Sequence, residues 1–111
     1  NNVLICVIGA ESGGVSLCVY NNARECKVRT FYAHSSTVTD VLIQGNTVFT
    51  LGVDQRIFEW KIIIDENTIG LETKRCYFTN VADCSSFLYT EDESKNRSII
   101  VTGVGLQKLE L

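Results

Sequence analysis

Apolar and polar positions alternate along this chain in short runs, and no stretch spaces its apolar residues by threes and fours as an amphipathic helix would. The runs are rich in Val, Ile, Thr, Phe and Tyr. They are interrupted at residues 11–14, 21–25, 35–36, 44–46, 53–55, 65–68 and 91–97. Most interruptions carry Gly, Asn, Asp or Ser, which suit turns through local hydrogen bonds or tolerance of positive φ. Turns about eight to twelve residues apart predict an all-β protein. The last interruption, which begins EDESKN, is a charged insertion expected to be mobile.

Two kinds of strand are expected. The segments VLICVI, TVFTLGV and SIIVTGV are apolar on both faces, as strands sandwiched between neighbouring layers should be. CKVRTFY and ETKRCYF carry Lys27, Arg29, Lys74 and Arg75, which suits outermost strands at a solvent rim. Such charges blunt an exposed sheet edge, and they are also the one feature that could face an acidic partner.

Comparison of the chain with itself reveals repetition. TLGVDQRIFEW lies over VTGVGLQKLEL, with Gly52 on Gly103, Val53 on Val104, Glu59 on Glu110 and Trp60 on Leu111. ESGGVSLCVY is a third copy, with Tyr20 in the place of Trp60. Upstream, VRTFYAHSSTVTDVL lies over KRCYFTNVADCSSFL, so that His34 meets Asn80, Val38 meets Cys84 and Val41 meets Phe87. Three units result, roughly 1–32, 33–79 and 80–111, of which the middle one is complete.

Composition then narrows the chemistry. At 45% hydrophobic and 21% charged residues, the chain is globular rather than disordered. Its longest apolar runs fall far short of the roughly 20 residues of a membrane span, so a soluble segment is expected. It opens on Asn1 and Asn2 without any methionine, and is expected to be a piece of a longer polypeptide. A net charge of −3 is the wrong sign for a surface that relies on phosphate contacts. The cysteines Cys6, Cys18, Cys26, Cys76 and Cys84 include no C-x-x-C pair; they are expected to be buried free thiols of a reducing compartment, which points to the cytoplasm. The sequon at Asn96 is expected to be an ordinary polar loop.

The single histidine, His34, and the single tryptophan, Trp60, bracket Thr50 and Asp54. A hydroxyl, an imidazole and a carboxylate can make a hydrolytic nucleophile or a structural hydrogen-bond chain. The sequence has no nucleophile elbow, and the repeat context favours the structural role.

These residues resemble the WD-repeat β-propeller family. The middle unit offers Ala33 and His34 for the family's Gly-His, Val38 and Val41 for a first inner strand, and Thr50 for the Ser or Thr of the second. Asp54 answers to the turn residue, and Ile57 with Trp60 to the third strand, while Trp60-Lys61 replaces the Trp-Asp dipeptide. The resemblance implies that His34, Thr50, Asp54 and Trp60 form a structural network: indole N–H to hydroxyl, hydroxyl to imidazole, imidazole to carboxylate. It implies an all-β fragment of about two and a half four-stranded blades, too few to close a ring. The chain would then be the C-terminal part of a larger propeller. The flanking units lack the polar set, with Ala10 and Gly14 in one, and Asn80, Val101 and Gly105 in the other, and are expected to rely on packing.

A narrower resemblance rests on LGVDQRIFEW, which looks like the closing blades of WD-repeat subunits that partner tRNA wobble-nucleotide 2′-O-ribose methyltransferases. It implies a non-catalytic scaffold that positions the methyltransferase subunit and its tRNA. No cofactor or metal is expected, since no Gly-rich donor-binding loop is present and the methyl-donor site would belong to the partner. The alternative is a WD-repeat adaptor of another assembly, in trafficking or ubiquitin ligation. The candidate partner surfaces are Ser35, Ser36 and Gln55 at one rim, and Arg29, Lys74 and Arg75 on the outer strands.

Overall fold

The structure is a computed structural model that describes residues 3–21 and 25–111. These residues form nine strands: β1 (Leu4–Gly9), β2 (Gly14–Tyr20), β3 (Cys26–Tyr32), β4 (Val38–Gln44), β5 (Thr47–Gly52), β6 (Arg56–Ile64), β7 (Ile69–Phe78), β8 (Ala82–Glu91) and β9 (Arg97–Glu110). The gaps between strands fall on the interruptions read from the sequence, with one exception, residues 79–81 between β7 and β8. Of the interruption at 21–25, residues 22–24 lie outside the described residues, as do Asn1 and Asn2.

The chain is all-β. Three antiparallel sheets run in the orders β1-β2-β3, β4-β5-β6-β7 and β8-β9. β9 also turns back on itself, because Leu111 N donates to Arg97 O at 3.0 Å and Ser98 Oγ donates to Glu110 Oε2 at 2.7 Å. Fully extended at about 3.3 Å per residue, those two ends would stand about 45 Å apart. The reversal centres on Val104 and Gly105, and Gly105 takes a φ of 112° that a side chain would resist.

The sheets stack face to face in chain order, with β1 against β4, β4 and β5 against β8, and β3 against β7. Each connection between sheets carries the chain from the β3 or β7 edge back to the opposite edge of the next sheet. The middle sheet is therefore covered on both sides, as the doubly apolar TVFTLGV segment predicts. Val48 and Trp60 pack with Val15, Leu17 and Val19 of the first sheet. Phe49, Leu51 and Ile57 pack with Cys84, Phe87, Ile99 and Val101 of the third.

Two register shifts reconcile the strands with these two cores. Between Glu59 and Trp60 the partner on β7 jumps from Arg75 to Thr73, which leaves Lys74 as the extra residue. The bulge reverses the alternation, so that Leu71 faces the first core and Tyr77 the second. A second shift, between Val38 and Asp40, lets Val38 face the first sheet while Asp40 Oδ2 reaches the third and accepts Phe87 N at 3.1 Å.

Two expectations are corrected here, on the cysteines and on the repeat register, and the charged insertion takes a defined conformation. Cys18 and Cys84 are buried, but Cys26 and Cys76 are exposed, because they lie on the edge strands β3 and β7. The charged insertion at 91–97 is a closed turn, in which the Asp92 carboxylate accepts Ser94 N, Asn96 N and Asn96 Nδ2. The repeat register shifts as well. Ile62 N donates to Asn46 O in the middle sheet, and Leu111 N donates to Arg97 O in the third. Leu111 therefore stands at the level of Ile62, not of Trp60, because the third sheet's turn is tighter.

Candidate functional site

His34 lies in the connection between β3 and β4, and its ring sits over the end of the middle sheet at 5% exposure. Its Nε2 is 2.8 Å from Thr50 Oγ1, and its Nδ1 is 3.1 Å from Asp54 Oδ1. Trp60 Nε1 donates to Thr50 Oγ1 at 2.9 Å. The four residues foreseen from the sequence are thus brought together in one chain of hydrogen bonds.

Counting donors fixes its direction. The indole carries only a donor, so Thr50 Oγ1 accepts there and has its own proton left for His34 Nε2. Nε2 then accepts, and Nδ1–H donates to the acceptor-only carboxylate of Asp54. The arrangement selects the Nδ1–H tautomer of His34 and leaves no member unpaired. Among the described residues, no buried side-chain N or O atom lacks a partner.

Asp54 holds the far end. Besides His34, its carboxylate accepts Ser35 N at 2.9 Å and Arg56 N at 3.2 Å. Burial disfavours the Asp54 charge, but the hydrogen bonds it accepts, chiefly from His34 and Ser35 N and also from Arg56 N, outweigh burial and hold the carboxyl below its ordinary pKa. Phe58 closes the side of the imidazole with an edge-on contact, the centroids 4.8 Å apart at 86°. Backbone packing from the first sheet fixes the same connection: Val38 N donates to Ala10 O at 3.0 Å, and Thr37 Oγ1 to Glu11 O at 3.1 Å.

The candidate surface residues fare differently. Ser35 is exposed, but its N–H is committed to Asp54, and Ser36 is half-buried in the same connection. Gln55 is an internal tie, with φ at 64° and its amide donating to Thr79 O at 3.3 Å and Val81 O at 3.2 Å. Arg29 on β3 donates to Ile69 O at 2.9 Å and lies 5.0 Å above the Phe31 ring. Lys74, the bulged residue of β7, pairs with Glu72, and Arg75 lies exposed across from Glu59.

Gln107 was not foreseen. Its Oε1 accepts Thr79 Oγ1 at 2.7 Å and Asn80 N at 2.8 Å, so the third sheet anchors its incoming connection with an amide. That corrects the expectation that the flanking units rely on packing alone. In the aligned repeat Gln107 falls on Arg56, and only the tighter turn brings it to the level of Phe58, beside the connection.

Surface cavities of about 460, 410 and 200 Å³ occur, and none is lined by His34, Thr50, Asp54 or Trp60. Among the described residues, no group of three His, Cys, Asp or Glu could hold a metal ion, and no helix is long and apolar enough to cross a membrane. No family model, curated protein or solved structure matches this chain.

Proposed function

We propose that this chain is part of a WD-repeat β-propeller that serves as a non-catalytic scaffold in the cytoplasm. The observation that carries the proposal is the hydrogen-bonded series Asp54, His34, Thr50, Trp60, which ties a connection, a turn and two strands of one sheet together. Stacking of consecutive meander sheets with their corresponding edges aligned supports the same architecture. A hydrolytic role for the set is disfavoured by access: Thr50 is fully buried, and its oxygen already accepts the Trp60 indole.

Within that class, the LGVDQRIFEW resemblance favours a subunit that binds a tRNA 2′-O-ribose methyltransferase and positions its tRNA substrate. The test is wobble 2′-O-methylation of tRNA in cells lacking the protein. Loss of the modification, restored by the wild-type chain, is the expected result. Unchanged methylation would remove the tRNA reading and leave the adaptor of another assembly. Rescue with Arg29, Lys74 and Arg75 all reversed in charge would remove the basic outer strands as the contact.

A further inference from the structure

We infer that the free edge of β3 is a docking site for an extended, acidic segment of a partner protein, added as a further strand beside Cys26–Tyr32. β3 is an outermost strand, hydrogen-bonded to β2 only, and all of its residues but Phe31 are exposed. Its outer N–H and C=O groups form the kind of template that an added strand completes.

The corresponding edge of the middle sheet is blunted. β7 carries the bulge at Lys74, and its Glu72 and Lys74 pair with each other. β3 has neither device. Its register with β2 runs unbroken from Gly14 opposite Tyr32 to Tyr20 opposite Cys26. A straight edge seven residues long is enough for a partner strand.

The two faces of β3 specify the partner's side chains. Lys27, Arg29 and Phe31 lie opposite Val19, Leu17 and Val15, so they share the face that packs on the middle sheet. Val28 and Tyr32, 55% and 72% exposed, share the opposite face. An added strand that alternates acidic and apolar residues would set its carboxylates beside Lys27 and Arg29 and its apolar groups beside Val28 and Tyr32. Below Arg29 the acidic positions overlook a groove of about 410 Å³ bordered by Phe31, Ile63, Ile69, Leu71 and Thr73. Its one acidic residue, Glu72, is already paired with Lys74. Arg29 commits one guanidinium nitrogen to Ile69 O, which pre-positions the group and leaves further N–H donors for a carboxylate.

The inference is independent of the methyltransferase assignment. Its test uses the full-length protein, a nine-residue peptide alternating valine and glutamate, the same peptide with lysine for glutamate, and a single-stranded RNA oligonucleotide. The glutamate peptide should bind at least about tenfold more tightly than the lysine peptide, weaken with salt, and slow hydrogen exchange of the β3 amides. Lys27→Glu with Arg29→Glu should cut that binding about tenfold or more while the circular dichroism spectrum is unchanged. If this pair misfolds, Val28→Pro, which removes an edge N–H, takes its place with the same expected loss. Absence of peptide binding, equal binding of the two peptides, binding without β3 protection, or binding of the RNA alone would each overturn the inference.

Discussion

Gly52 lies directly beneath His34. A Cβ at this position would collide with His34 Nδ1 and Asp54 Oδ1, so the absence of a side chain is what lets the imidazole and the carboxylate meet. Gly103, its counterpart in the third sheet, is crowded instead by the carbonyl oxygens of Ala82 and Asp83.

Gly52→Ala is therefore expected to destabilise the fold by about 1–3 kcal/mol, the usual cost of overpacking a closed site. Gly45, whose added Cβ would meet nothing within 4 Å, has a φ of 63° and so costs backbone strain alone; Gly45→Asn, which tolerates that φ, is the control and should be nearly neutral. Chemical denaturation of the two variants checks the contrast.

Thr50 is the hinge of the hydrogen-bond chain, since its one oxygen atom joins two side chains, the Trp60 indole and the His34 imidazole. Thr50→Val keeps the shape but orphans the indole N–H and the imidazole Nε2, for an expected loss of about 1–3 kcal/mol. Thr50→Ser retains the hydroxyl and should recover most of it. His34→Ala should cost a similar amount, and any loss of function should track the loss of fold. A His34→Ala variant of unchanged thermal stability that abolished a chemical step would falsify the structural role.

The depressed Asp54 carboxyl makes stability depend on pH. The folded pKa lies below the unfolded one, so the unfolded chain takes up the proton first. The contribution is complete above the unfolded value, about 4, and is lost as pH falls through the folded value. Denaturant midpoints measured from pH 7 down to pH 3 should fall more steeply for wild type than for Asp54→Asn. Parallel curves would show that Asp54 does not supply the pH dependence.

Cysteine accessibility offers an independent check on the layer order. Burial pushes the thiols of Cys18 and Cys84 above their ordinary pKa, which leaves less thiolate to react. A thiol-directed alkylating reagent should mark Cys26 in the native protein and reach Cys18 and Cys84 only on unfolding. Mass spectrometry of the modified peptides reads the order directly, and early labelling of Cys84 would contradict its place between the second and third sheets.

Strand positions and turns were legible in the sequence because they follow from short-range patterning, whereas the identity of the four network residues followed from the resemblance to WD-repeat propellers. The near-continuous apolar run along Thr47–Gly52 already required two buried faces. Other features depend on what lies across the sheet or in the next one. The bulge at Lys74 decides which core receives Leu71 and which Tyr77, and nothing in ETKRCYF marks it, since a bulge is set by competition between two packed faces. Gln107 gained its role from a turn tighter than that between β5 and β6, a register that self-comparison without coordinates misaligned. Cys26 and Cys76 escaped the core because exposure follows from a strand's place at the sheet edge, which residue type does not encode. The tautomer of His34 likewise came from geometry: only the three-dimensional order Trp60, Thr50, His34, Asp54 tells each nitrogen whether to donate or accept.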